Sequence, residues 1–121
     1  MAETIFERLG GFSEVRKIIS DFYERVLDEE DLAGYFDHVD MRRLIDHQSK
    51  FVIQLVGGPA EFSDEVLHRI HRPLGITSDH FQLLAGILRE TLEDHGLDGD
   101  DVTTIMAEVT RREPIVVTQY G

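Results

Sequence analysis

With 121 residues, 24 acidic and 12 basic side chains, the chain carries a formal net charge of −12. That excess repels phosphate backbones and anionic headgroups, so neither nucleic acid nor a membrane surface is an expected partner. Cysteine is absent and 41% of residues are hydrophobic, which excludes disulfides and thiolate chemistry and leaves apolar mass for one packed core.

No apolar run approaches the roughly 18 residues of a membrane span, and no secretory leader pattern opens the chain. One cytoplasmic domain over residues 1–121 is therefore expected. The pattern is helical almost throughout. Thr4 with Glu7 makes a capping-box start for a short helix with Ile5, Phe6 and Leu9 on its apolar side, and Gly10-Gly11 stops it. Ser13 is expected to cap the next helix, whose Val15, Ile18, Ile19, Phe22, Tyr23, Val26 and Leu27 follow a helical stripe. The acidic run Asp28-Glu29-Glu30-Asp31 reads as a turn or a solvated helix start, before a short element ending at Tyr35-Phe36.

Asp40 is placed to cap a helix with Met41, Leu44, Ile45, Gln48, Phe51, Val52 and Leu55 on one side, ended by Gly57-Gly58-Pro59. Ser63 opens a short helix with Leu67, Ile70, His71 and Leu74 in register, and Pro73 tends to close it. Thr77 or Ser78 caps a helix carrying Phe81, Leu84, Ile87, Leu88 and Leu92, which runs out near Gly96. Asp100 or Asp101 starts the last helix, with Val102, Ile105, Met106 and Val109, and Pro114 kinks or ends it. The expected class is all-α, with about six helical segments and no dividing linker.

Three polar residues interrupt apolar stripes on separate helices: Tyr23, Gln48 and His71. Leaving a buried polar group unsatisfied costs ~1–3 kcal/mol, so each needs a partner. Singly, each has an ordinary explanation: a tyrosine whose hydroxyl reaches water, a glutamine on a stripe boundary, a satisfied core histidine. Together they suggest a polar cluster inside a small helical domain. His47 borders the Gln48 stripe and His68 lies one turn from His71, while His38, His80 and His95 sit near helix ends and read as exposed. A second Glu-x-x-His to match Glu65 with His68 is missing, and Asp98-Gly99-Asp100-Asp101 lacks the alternating ligands of a calcium loop. No metalloprotease, phosphate-loop, dinucleotide or nucleophile-elbow signature appears.

Taken in order, these residues resemble the truncated haemoglobins of group I. The similarity is carried by IFERLGG from Ile5 to Gly11, DFYERVL from Asp21 to Leu27, Tyr35-Phe36, His47-Gln48 with Phe51, Gly57-Gly58-Pro59, His71 within RIHRPLGI, and His80-Phe81. It covers nearly the whole chain and is weakest at the C-terminal end. The resemblance implies a two-on-two helical sandwich around non-covalent haem b. His71 matches the proximal iron ligand, and Phe36 the phenylalanine that packs on the haem plane. Tyr23 and Gln48 match the distal pair that hydrogen-bonds a diatomic ligand. Leu44 stands at a distal position where some members carry glutamine, and Val52 where some carry a tunnel phenylalanine.

Phe51, Phe62, Ile76 and Phe81 complete the implied cofactor contacts. Phe62 replaces a tyrosine that some members use near a haem propionate, which leaves Arg42, Arg43, Lys50, His68 and Arg72 as candidate anchors. His47 matches a histidine that swings in as a sixth iron ligand in some cyanobacterial relatives. Some of those relatives also link a C-terminal histidine to haem, and no histidine follows His95 here. The implied function is O2 binding by a monomer, with NO and CO as further ligands and oxidation of nitric oxide to nitrate through an external reductase. Two alternatives stand beside it. One is a haem-based gas sensor acting through a partner, the other a haem-free helical interaction domain with a satisfied polar core.

Overall fold

Residues 5–55 and 76–117 are described by the structure, a computed structural model, and helices fill most of both stretches. Thr4, the Gly57-Gly58-Pro59 stop and the helix expected from Ser63, with Phe62, Glu65, His68, His71, Arg72 and Pro73, lie outside the described residues. Helix α1 spans Ile5–Leu9 and closes on the glycine pair. The Gly10 amide donates to the Glu7 carbonyl at 3.2 Å and the Gly11 amide to the Phe6 carbonyl at 3.2 Å. Both glycines hold positive φ, 99° and 88°, a geometry that satisfies the last carbonyls and that a side chain would strain. The turn is so tight that α2, Phe12–Leu27, begins at once with Gly11 at its cap position. Ser13 therefore falls inside the first turn and does not cap, contrary to expectation.

Helix α2 buries Val15, Ile18, Ile19, Phe22, Tyr23 and Val26, whereas Leu27, expected inward, is 40% exposed. The acidic run resolves into a turn leading to α3, Glu30–Ala33, and a 3-10 turn, Gly34–Phe36. Helix α4, Met41–Leu55, starts as expected from Asp40, whose Oδ1 accepts the Arg43 amide at 3.3 Å. Its buried residues include Ser49, Val52 and Ile53, and Met41, Leu44, Ile45 and Phe51 of the expected stripe pack partly buried against the core. Ser49 can be buried because its hydroxyl donates to the Ile45 carbonyl one turn back, at 2.6 Å.

Helix α5, Ser78–Asp94, is capped by Thr77, whose hydroxyl accepts the His80 amide at 3.1 Å. It ends where Gly96 turns the chain. Helix α6, Gly99–Arg111, has Asp98 at its cap position, not Asp100 or Asp101. Asp101 is buried and serves another purpose: both its oxygens accept from Arg8 of α1, Oδ2 at 3.2 Å from Nε and Oδ1 from Nη2. Pro114 sits in the first turn of α7, Glu113–Val116, and marks the kink after α6. Helix α2 packs on α4, α5 packs on α6, and α2 also meets α5. These two helical pairs make a two-over-two sandwich, all-α as expected, around a core of Val15, Ile19, Val26, Leu32, Leu92 and Ile105. Among the described residues no helix is long and apolar enough to cross a membrane.

Candidate functional site

Between the helical pairs lies a cavity of about 170 Å³, an order of magnitude more than the ~10–15 Å³ that one water needs. Its walls come from every major described element. Ile19, Phe22 and Tyr23 of α2 face it, with Tyr35 and Phe36 of the 3-10 turn and Leu44, Gln48, Phe51 and Val52 of α4. Ile76 and Phe81, Leu84, Ala85 and Leu88 of α5 close another side, with Val109 and Arg112 at the end of α6. Among these lining residues there is no carboxylate, although the chain is strongly acidic.

Tyr23 is 7% exposed and held between rings. Its centroid lies 4.8 Å from that of Phe22 and 5.8 Å from that of Phe36, both edge-on. Burial pushes its phenol well above the usual range, so the hydroxyl stays protonated and available as a donor. It makes no hydrogen bond to a described residue, and neither does the half-buried Gln48. No polar side-chain atom among the described residues is sealed off without a partner. The Tyr23 oxygen therefore keeps access to open space, and the cavity is the space Tyr23 lines.

Of the residues singled out in the sequence, Tyr23, Phe36, Leu44, Gln48, Phe51, Ile76 and Phe81 meet at this one cavity. His47 is exposed and does not line it. His71 and Phe62 lie outside the described residues. Arg42, Arg43 and Lys50, candidates for anchoring a carboxylate, are exposed.

Two features at or next to the wall have no signal in the apolar pattern. His80, expected at the surface, is half-buried, and its Nδ1 shares a hydrogen bond with the Tyr35 hydroxyl, the rings standing edge-on at 5.4 Å. Arg112 is 7% exposed. Its Nη1 donates to the Glu108 carbonyl at 2.9 Å and to the Glu108 carboxylate at 2.7 Å, and its Cζ stands 5.7 Å from the Phe51 ring centroid. The Arg112 guanidinium beside Glu108 holds that carboxyl below its ordinary range, against the opposing effect of burial. The spacing of Glu108 and Arg112, one helical turn apart, is a local signal for that pair. No comparable signal joins Tyr35 to His80, 45 residues away.

Known proteins share this arrangement of helices. Residues 4–117 match the family described as bacterial-like globin. The chain is 32% identical over 115 residues to the group 1 truncated haemoglobin GlbN of Mycolicibacterium paratuberculosis, a match covering 95% of this chain and 85% of that protein. It is 31% identical to the group 1 truncated haemoglobin GlbN of a Synechocystis species, over 86% of this chain and 87% of that one. The crystal structure of the 2/2 haemoglobin from Synechococcus sp. PCC 7002, in the cyanomet state with covalently attached haem, superposes with a TM-score of 0.88. Identity to it is 26%, with 97% of this chain and 100% of that chain covered.

Proposed function

Because the chain belongs to the group 1 truncated haemoglobins, within the bacterial-like globins, we propose that it holds haem b in this cavity and retains a diatomic gas, O2 foremost, with Tyr23 and Gln48. His71 is the proposed protein ligand to the iron. The observation that carries the reading is the Tyr23 hydroxyl, borne on a buried ring, open to the cavity and without a hydrogen bond to any described residue. Apolar walls with aromatic edges suit a flat apolar macrocycle, and a donor left unused suits a ligand that accepts.

Haem iron, when bound, supplies a coordination position for the gas and shifts negative charge onto it. Tyr23 donates its hydroxyl proton toward that charge. Gln48, lining the same cavity, orients the hydroxyl or donates its own amide. A hydrogen bond to a charged acceptor is worth ~1.5–3 kcal/mol, about ten- to a hundredfold in release rate. Phe22 and Phe36 pack edge-on against the tyrosine ring and fix its orientation. NO and CO are proposed as further ligands, and oxidation of nitric oxide to nitrate as an activity that calls on a separate reductase. The protein is proposed to work as a cytoplasmic monomer.

His47 is proposed as a sixth ligand in the gas-free protein, which requires it to leave its exposed position. Its mark is a low-spin ferric spectrum that becomes high-spin in His47→Ala, and a high-spin wild type removes the role. For the function as a whole, the test is an ultraviolet–visible spectrum of purified protein given haem, ferric and then reduced. A stoichiometric Soret band that shifts with O2 or CO is expected. A colourless protein whose cooperative unfolding ignores haem would instead mark a helical interaction domain.

A further inference from the structure

Arg112 differs from its fellow cations. Lys17, Arg42, Arg43, Lys50 and Arg89 are exposed, whereas the Arg112 side chain is 9% exposed and lines the cavity. Its guanidinium is used on one side alone. Nη1 takes both hydrogen bonds to Glu108, while Nε and Nη2 make none to a described residue. Since no polar side-chain atom among the described residues is sealed without a partner, those two nitrogens keep access to space a ligand can enter. Nε and Nη2 form the edge of the guanidinium that presents two parallel N–H donors, spaced to meet two oxygens of one planar anion. Glu108, on Nη1, fixes the fork without occupying that edge.

The wall around it agrees. Tyr23 and Gln48 offer donors, and no Asp or Glu is among the described residues that line the cavity. We propose that the Nε–Nη2 edge of Arg112 is a binding site for a planar oxyanion inside the cavity. Such an anion has two sources: a carboxylate of the cofactor itself, or a dissolved ion of the shape of nitrate. The first source rests on the haem reading above; the second does not.

The experiment uses the protein as purified, labelled with 15N-arginine, with the Arg112 Nε–H resonance assigned by its loss in Arg112→Lys. Sodium nitrate is titrated against chloride at constant ionic strength, and haem transfer to excess apomyoglobin is timed for wild type and variant. If the ion is dissolved, the resonance moves saturably with nitrate and Arg112→Lys weakens nitrate binding at least about tenfold. If it is the cofactor's carboxylate, nitrate leaves the resonance unmoved and Arg112→Lys releases haem at least about tenfold faster. Glu108→Gln keeps the free edge and is expected to keep the response, which separates a lost site from a misfolded variant. A resonance indifferent to nitrate together with unchanged haem release overturns the proposal. A missing Soret band would sink the haem reading and leave the nitrate titration to decide this site.

Discussion

A hydroxyl on a buried ring that bonds no described residue separates two kinds of tyrosine. Were Tyr23 a structural residue, replacing it with phenylalanine would break a hydrogen bond and cost about 1 kcal/mol. Its oxygen bonds no described residue, so Tyr23→Phe is expected to leave the thermal midpoint of the gas-free protein within error. The same change is expected to speed O2 dissociation at least about tenfold, read by stopped flow. Stability lost with the off-rate unmoved would place the hydroxyl in the scaffold. Tyr23 and Gln48 were legible in the sequence because each interrupts an apolar stripe, a disturbance visible within two helical turns. Arg112 was not, because its burial depends on Phe51 and Glu108 together, and a basic residue near a helix end ordinarily reads as solvated. His80 misled for a similar reason: its partner, Tyr35, lies 45 residues away in the sequence.

Between elements, the contacts that matter are those no single helix encodes. Arg8 and Asp101 tie α1 to α6 through a two-pronged pair whose carboxylate is mostly covered, the side chains being 38% and 12% exposed. Removing the cation strands a buried acid, so Arg8→Ala is expected to destabilise the fold by ~1–3 kcal/mol in urea titrations. Asp101→Asn with Arg8→Ala together should cost less than Arg8→Ala alone. Ser49 makes a different kind of contact. It is fully buried on α4, the helix that packs on α2, and its hydroxyl is spent on the Ile45 carbonyl. Ser49→Leu is expected to cost about 1–3 kcal/mol by overpacking, while Ser49→Ala is nearly neutral.

The helices themselves were legible, since the apolar spacing of α2, α5 and α6 is regular and Asp40 and Thr77 cap as their positions suggest. The first cap of α2 was not, because a glycine pair that can turn in place makes Ser13 unnecessary. Asp101 looked like a cap because an acid at a helix start has two uses, and choosing between them needs the long-range partner.

For the molecule as a whole, acid is the natural stress. Asp21 is held below its ordinary range by the hydrogen bond from His95 first and then by Arg25, with burial opposing. Asp46 is held down by Arg16, and Glu108 by Arg112. A carboxyl depressed on folding adds stability that is fully present above its unfolded value, 3.8 for Asp and 4.5 for Glu. That stability is lost as the pH falls through the folded value. The urea midpoint is thus expected to hold above about pH 5 and to drop as the pH passes below about 4, with Asp46→Asn flattening the drop. At neutral pH the formal charge of −12 opposes compaction, and moderate salt, which screens exposed charges beyond about 10 Å, is expected to raise the thermal midpoint.

The Tyr35–His80 hydrogen bond has a consequence in time as well as in space. It fastens the turn that carries Phe36 to the first turn of α5, and both border one cavity. Segments joined this way open together, as one unit of local unfolding. Amide hydrogens around Phe36 and around Phe81 should therefore exchange with solvent deuterium in concert. In Tyr35→Phe that shared clock should split into two. The faster of the two marks the less stable side of the cavity.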